Sequence, residues 1–198
     1  MRVKICGITN LEDALISIDA GADALGFVFY KKSPRYISPD NAKNIINQLP
    51  PFVEKVGLFV ENSSNEIDEI ANETKISSAQ LHWDIDPIEF SRIKINKIRV
   101  IRAKSENDLD LYKNSYRFVD SYVESFGGAG YRLNLDWFKN RDNQKMILAG
   151  GLNVENIDEV AGFGFYGVDV SSGVEAYRGK KDKNKVIEFI KKAKRIEN

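Results

Sequence analysis

Two side chains in this sequence could exchange protons with a substrate, and each one ends a short apolar segment. Cys6, the only cysteine, ends the segment RVKIC at residues 2–6, and Asp120 ends the segment FVD at residues 118–120. A thiol and a carboxyl group form a base and acid pair when the pKa of the thiol is lowered and that of the carboxyl group is raised. The alternatives are a cysteine that packs as a small apolar side chain and an aspartate that caps a helix or forms a salt bridge.

Two glycine-rich segments could bind a phosphate group. The segment AGGLN at 149–153 holds Gly150 and Gly151, and the segment SSG holds Ser171, Ser172 and Gly173. Backbone N–H groups approach an anion closely where glycine removes the side chain, and the N-terminus of a following helix attracts negative charge. Each segment alone could be only a tight turn. Because both follow consecutive predicted strands, together they predict a phosphate pocket.

Other residues could hold or cover a substrate. Arg35 could bind a carboxylate with its planar fork, or it could simply be solvated in a basic loop. His82, the only histidine, fits a hydrogen-bonding role in the wall of a site better than a catalytic one. Gly127, Gly128 and Gly130 could belong to a mobile lid or to a flexible connector, and the sequence does not separate the two.

These residues lie near the ends of a repeated pattern of strands and helices. Short β-branched runs alternate eight times with segments of helical spacing. The predicted strands are 2–6, 23–30, 54–60, 77–82, 97–103, 116–122, 145–149 and 167–171. The clearest predicted helices are 11–20, 41–48, 67–73, 154–161 and 183–196.

The alternation predicts an α/β fold with a parallel sheet, because parallel neighbours need a long crossover connection. Eight units favour a single closed (βα)8 barrel over an open doubly wound sheet, which usually has fewer strands. We expect residues 1–198 to form one domain. In either architecture the carboxyl ends of the strands carry the chemistry, which is where the candidate residues lie.

The composition indicates which partners to expect. The chain has 29 basic and 29 acidic residues, so no net charge attracts nucleic acid or an anionic membrane surface. One cysteine and one histidine predict neither a disulfide nor a structural metal site. The sequence has no long apolar run, and we expect no targeting signal. We expect a cytoplasmic protein, a monomer or homodimer, that acts on a small molecule.

Several specific motifs occur in order along essentially the whole chain. They include KICGIT at 4–9, SPRYI at 33–37, QLH at 80–82, LAGGLN at 148–153 and VDVSSGVE at 168–175. In type and order these motifs resemble those of the phosphoribosylanthranilate isomerase family. The sequence departs from the family pattern at Trp83, where the family usually has Gly, and at Glu61, where it usually has Asn.

The resemblance implies an Amadori rearrangement of N-(5′-phosphoribosyl)anthranilate to 1-(2-carboxyphenylamino)-1-deoxyribulose 5-phosphate, without a metal or an organic cofactor. It implies that Cys6 is the general base, that Asp120 is the general acid and that Arg35 holds the anthranilate carboxylate. Further substrate contacts would come from His82 and Asp169. The phosphate would be held at Gly150, Gly151, Ser171, Ser172 and Gly173.

Two other functions remain open from the sequence. A different phosphate-binding barrel isomerase, of the kind found in histidine biosynthesis, performs the same rearrangement but uses a carboxylate at the end of the first strand, where this chain has Cys6. A non-catalytic protein that binds a phosphate ligand would need the glycine-rich segments but neither Cys6 nor Asp120. Substrate turnover by variants at these two positions separates the possibilities.

Overall fold

Eight parallel strands close into a barrel in the computed structural model, which describes residues 1–122 and 132–196. Each strand pairs with the next, and the eighth pairs with the first. The strands are β1 (Arg2–Cys6), β2 (Ala24–Val28), β3 (Glu54–Phe59), β4 (Ser78–Leu81), β5 (Asn96–Ala103), β6 (Arg117–Ser121), β7 (Met146–Leu148) and β8 (Gly167–Val170). The predicted closed (βα)8 architecture is confirmed, and every predicted strand matches an observed one.

Within the described ranges, five α-helices pack outside the barrel, and each begins at a polar capping residue. They are α1 (Leu11–Asp19), α2 (Pro39–Ile46), α3 (Ser64–Thr74), α4 (Pro87–Arg92) and α5 (Lys183–Arg195). Ser63 and Glu66 form a reciprocal capping box at the start of α3. Asp182 accepts a hydrogen bond from the Lys185 backbone at the start of α5. These caps fix where each crossover leaves the barrel mouth.

The prediction of a helix over 154–161 is wrong. The segment after β7 contains only a short 3-10 helix, Ile157–Val160. The Asn153 side chain accepts hydrogen bonds from the backbone of Glu155 and Asn156, and the Asn156 amide donates to Gly151 O at 2.9 Å. These local bonds compete with a regular helix and shape the turn that follows β7. Short 3-10 helices at Glu106–Asp110 and Leu135–Phe138 also stand in the segments after β5 and β6.

The two faces of β1 show how the barrel separates core from site. Val3 and Ile5 belong to the apolar core between the strands and the helices. Lys4 and Cys6 occupy the alternate positions and therefore share the opposite face. Both are buried, and neither belongs to the cluster of apolar side chains that contains Val3 and Ile5. The strand thus presents one basic and one thiol side chain to the barrel interior.

A short hairpin follows β8 and was not predicted. Its strands are β9 (Glu175–Tyr177) and β10 (Lys180–Lys181), which pair in antiparallel fashion. The Thr9 hydroxyl donates to Gly179 O at 2.6 Å and ties the hairpin to the loop after β1. The hairpin therefore brings Glu175 and Lys181 to the mouth of the barrel. None of the helices in the described ranges is long and apolar enough to cross a membrane.

Candidate active site

A cavity of about 900 Å³, counted to its open mouth, lies at the carboxyl ends of the strands. Nine of the residues singled out in the sequence line it: Cys6, Arg35, His82, Asp120, Gly150, Gly151, Asp169, Ser171 and Ser172. Gly173 lies behind the lining, against the turn that follows β7. Gly127, Gly128 and Gly130 lie outside the residues that the structure describes. The structure thus brings together residues from six of the eight strands or the turns that follow them.

Cys6 ends β1 inside this cavity and is 5% exposed. It lies opposite Gly26 in the strand register, where a Cβ atom would come within 2.8 Å of Cys6 Sγ. The thiol therefore uses space that only glycine leaves open. Burial raises the pKa of the Cys6 thiol, an effect opposed by the ammonium groups of Lys4 and Lys181 and reinforced by Asp169. Burial outweighs the nearby cations, so the pKa of the thiol without substrate is not lowered as a base role would require.

Asp120 lies near the end of β6, with its carboxyl group facing the cavity. Burial, reinforced by the negative charge of Asp169, raises the pKa of Asp120 to about 6. A 2.7 Å hydrogen bond from the Ser121 backbone N–H and the positive charge of Arg102 limit this rise. A raised pKa is the direction of shift that an acid role requires of this carboxyl group. Asp120 therefore holds a proton at a higher pH than an ordinary aspartate and can act as an acid.

His82 lies beside Asp120, with its Nε2 3.9 Å from Asp120 Oδ2. Burial and the positive charges of Arg102 and Lys4 lower the pKa of His82 to about 4, so the ring is neutral at pH 7. The contact is therefore neither an ion pair nor, at that length, a hydrogen bond. A neutral ring can still donate from one nitrogen and accept at the other. This fits the role in the wall of the site expected from the sequence.

Arg35 is buried and forms a two-point ion pair with Glu175. Its Nε lies 2.7 Å from Glu175 Oε1, and its Nη2 lies 2.8 Å from Oε2. Lys181 Nζ lies 3.2 Å from the same Oε1 and donates to Ser171 O at 3.1 Å. The arginine packs closely under Gly7, where a Cβ atom would lie 2.6 Å from Arg35 Cδ. The basic loop residue is thus a fixed part of the cavity wall, not a solvated side chain.

The turns after β7 and β8 fit together through their glycines. Gly150 and Gly151 both have positive φ, at 84° and 64°, a region that favours glycine. A Cβ atom on Gly173 would lie 1.9 Å from Leu152 O, so only glycine allows the two turns to touch. Ser171 Oγ is buried and has no hydrogen-bond partner among the described residues. The turns after β7 and β8 therefore form one continuous surface of the cavity, made of backbone groups and the Ser171 hydroxyl group.

Three charged residues of the site were missed by the sequence analysis. Lys4 Nζ lies 2.9 Å from Asp169 Oδ1, and both side chains are buried. Lys4 occupies the position two before Cys6, so strand alternation could have placed it on the same face. Glu175 and Lys181 reach the site through the hairpin, which no separate pattern in the sequence indicated. Within the described ranges, no group of three or more His, Cys, Asp or Glu side chains could hold a metal ion.

Known proteins resemble this chain over nearly its full length. A family model described as "N-(5'phosphoribosyl)anthranilate (PRA) isomerase" matches residues 3–192. A protein of that name from Nitratiruptor sp. is 59% identical over 98% of this chain and 99% of its own length. The chain belongs to the phosphoribosylanthranilate isomerase family. The resemblance inferred from the sequence motifs, and with it the prediction of an isomerase, is confirmed.

Solved structures of the phosphoribosylanthranilate isomerase family share the fold. The crystal structure of the Thermotoga maritima protein superposes with a TM-score of 0.87 at 41% identity, covering 98% of both chains. A second structure, with a TM-score of 0.84, 40% identity and the same coverage, is a complex with reduced 1-(o-carboxyphenylamino)-1-deoxyribulose 5-phosphate. The Thermotoga maritima protein is also described as dimeric.

Proposed function

We propose that the chain converts N-(5′-phosphoribosyl)anthranilate into 1-(2-carboxyphenylamino)-1-deoxyribulose 5-phosphate in tryptophan biosynthesis, with Cys6 as general base and Asp120 as general acid. The observation that carries this assignment is that a thiol and a carboxyl group with a raised pKa line one cavity. The cavity also contains Arg35 and the glycine-rich turns, which suit the two anionic ends of that substrate.

The reaction opens the ribose ring and then moves a proton. Asp120 protonates the ring oxygen, the bond between that oxygen and the anomeric carbon breaks, and the nitrogen lone pair forms an iminium ion. The Cys6 thiolate removes the C2′ proton, whose acidity the iminium raises, and the resulting enolamine tautomerises to the ketone. Asp120 has then lost a proton and Cys6 has gained one, so proton exchange restores both groups without a metal or an organic cofactor.

The active form needs a deprotonated Cys6 and a protonated Asp120. The carboxyl group, with a pKa of about 6, is partly protonated near neutral pH. The thiol has a raised pKa, so its thiolate is the minor form at the same pH. The productive combination is therefore a small fraction of the enzyme, and its amount depends on the charges around each group.

The two ends of the substrate hold the reacting carbons in place. Arg35 Nη1 takes no part in the pair with Glu175, and we assign it to the anthranilate carboxylate. The phosphate is assigned to the backbone at Gly151 and Gly173 and to the serine hydroxyl groups of the same turns, Ser171 and Ser172, with Gly150 shaping the turn after β7. His82 and Asp169 face the ribose between these ends. Such fixed geometry supplies much of the rate enhancement when one substrate meets two catalytic groups.

The remaining assignments concern assembly and location. The whole chain acts as one domain, as a monomer or a homodimer, and the dimeric relative from Thermotoga maritima supports the second state. The cytoplasm is the compartment in which a single free thiol at a catalytic position stays reduced. The partner is a small phosphosugar molecule, not a nucleic acid or a membrane.

The direct test is turnover with chemically defined substrates. N-(5′-phosphoribosyl)anthranilate is labile, so it is generated in situ, and its consumption is followed by fluorescence while the ketose product is identified by mass and chromatography. The proposal predicts steady turnover of this substrate and none of the histidine-pathway phosphoribosyl-formimino substrate. Binding without turnover would favour a phosphate-ligand binding protein, and turnover of the second substrate alone would favour the other isomerase.

A further inference from the structure

The buried pair of Lys4 and Asp169 has no role in the chemical steps above. The two residues face each other across β1 and β8 in the strand register, with Nζ 2.9 Å from Oδ1. Their side chains are 5% and 9% exposed. A buried ion pair adds little to stability compared with apolar residues of the same size, because removing both charges from water is costly. Its place in the barrel therefore suggests a function.

The cationic end of the pair lies at the candidate base. Lys4 and Cys6 alternate on one face of β1, and both side chains turn toward the space above Gly26. A Cβ atom on that glycine would lie 2.9 Å from Lys4 Nζ and 2.8 Å from Cys6 Sγ. The positive charge of the ammonium therefore acts directly on the thiol group. An ammonium at this position favours the negatively charged form of the sulfur.

The anionic end of the pair faces the candidate acid. Asp169 and Asp120 both line the cavity, and the charge of Asp169 disfavours a second charge on Asp120. Lys4 itself is enclosed by Asp169, Cys6 and the ring of Phe118, whose centroid lies 5.2 Å from Nζ. The orientation of the pair is therefore fixed: the Lys4 ammonium lies at the Cys6 thiol, and the Asp169 carboxylate faces Asp120.

We propose that the Lys4–Asp169 pair prepares both members of the acid–base couple, with Lys4 stabilising the Cys6 thiolate and Asp169 keeping Asp120 protonated. This role rests on the proposed function for its purpose, but it describes a property of the protein without substrate. Lys4 acts through Cys6 and is thus a positioning residue.

Other charged groups face the same side chains and must be considered. Lys181 on β10 and Arg35 in the loop after β2 add positive charge near Cys6, but both are paired with Glu175, which offsets their effect. Around Asp120, the charge of Arg102 on β5 opposes that of Asp169. The neutral ring of His82 on β4 adds no charge at pH 7. Among the charged groups that favour the thiolate, Lys4 has the largest effect.

The test measures Cys6 directly, which is possible because the chain has one cysteine. The rate of alkylation by iodoacetamide is recorded against pH without substrate. Lys4→Met should move the curve to higher pH and slow alkylation near neutral pH about tenfold. Asp169→Asn should move the curve to lower pH. Lys32→Met, which removes an exposed charge at the mouth of the barrel, serves as the matched control and should leave the curve in place.

Opposite shifts from the two ends of one pair are not expected from a merely structural role. If both variants shift the curve in the same direction, or if neither shifts it, the proposal is overturned. Lys4→Met leaves Asp169 buried without its partner, so the double variant Lys4→Met/Asp169→Asn is measured as well and should fall between the two single variants. Alkylation of the urea-unfolded chains should follow one curve for all variants.

The carboxylate end is tested by a 13C NMR titration of Asp120 in protein labelled at its aspartate carboxyl carbons. Asp169→Asn should lower the titration midpoint of Asp120, and an unchanged midpoint would overturn this half of the proposal. Neither measurement uses substrate. Shifted curves in a protein without isomerase activity would therefore support the role of the pair and reject the proposed function, whereas unshifted curves in an active enzyme would do the reverse.

Discussion

The guanidinium group of Arg35 and the carboxylate of Glu175 meet at two points, 2.7 and 2.8 Å apart, although 140 positions separate them in the chain. The pair fixes the plane of the guanidinium group before any substrate enters. Its remaining nitrogen, Nη1, can then meet a carboxylate without the side chain having to be ordered first. Glu175 also forms an ion pair with Lys181. Two cations and one carboxylate therefore give the cavity wall a net positive charge at this point.

Replacing Arg35 by lysine should raise KM for the anthranilate substrate about tenfold, with a smaller effect on kcat. An ammonium group is a point charge and cannot hold two oxygens of Glu175 while also reaching the substrate carboxylate. Steady-state kinetics measure both constants. Lys31→Arg, a change of the opposite kind at an exposed position of the same loop, is the control and should leave KM unchanged. An unaltered KM in Arg35→Lys would remove this residue from the site.

The dependence of kcat/KM on pH should have a plateau between two limbs. Below about pH 6 the rate rises with pH, because the thiolate fraction grows while Asp120 stays protonated. Above that value the gain in thiolate is offset by the loss of the Asp120 proton. The rate falls once pH passes the raised pKa of Cys6. An acidic limb that bends near pH 4, where His82 titrates, would contradict the assignment of Asp120.

Replacing Asp120 by asparagine should stabilise the fold at pH 7. A carboxyl group whose pKa is raised by folding lowers the free energy of unfolding once the pH exceeds its pKa in the unfolded chain. The full loss of stability is reached above its pKa in the folded protein. The rise from 3.8 to about 6 corresponds to about 3 kcal/mol.

Urea unfolding should therefore show Asp120→Asn more stable than the parent at pH 7 and equal to it below about pH 4. Asp84→Asn, at an exposed position, provides the control. Equal stabilities of Asp120→Asn and the parent at pH 7 would show that the carboxyl group is not strained by its burial.

Replacing Gly173 by alanine should loosen the phosphate site and lower stability. The new Cβ would lie 1.9 Å from Leu152 O, so the turns after β7 and β8 must separate. We expect KM to rise at least about tenfold, and the free energy of unfolding to fall by about 1–3 kcal/mol.

Gly164→Ala is the matched comparison, because no atom lies within 4 Å of its Cβ position and only its positive φ adds strain, at about 1 kcal/mol. It should leave KM unchanged. Equal effects of the two substitutions on KM would show that the contact between the turns does not shape the phosphate site.

The fold could be predicted from the sequence because each strand and most helices carry local signals. Apolar runs of four to eight residues and polar capping residues indicate an element regardless of its surroundings. The segment after β7 was misjudged because Asn153 and Asn156 bond to the neighbouring backbone, which periodicity alone does not show. Glu61 illustrates the same limit: its φ of 60° suits the Asn that the family usually has, but the sequence gives no backbone angle.

The site could be predicted as a set of residues but not as an electrostatic arrangement. Strand ends identified Cys6 and Asp120, since topology alone brings such ends together. The raised thiol pKa and the Lys4–Asp169 pair depend on burial and on the register between β1 and β8, which are properties of the closed barrel. Glu175 could not be assigned because its hairpin follows the last strand and has no counterpart in the repeat.

The most direct test of the acid–base account is turnover of N-(5′-phosphoribosyl)anthranilate by Cys6→Ser and Asp120→Asn, measured beside the parent enzyme. Each variant removes one proton-transfer group and nearly preserves its size, so binding of the substrate should persist. We expect kcat to fall at least about 100-fold in each variant, the usual loss for general acid or base catalysis. Turnover within a few-fold of the parent in both variants would contradict it.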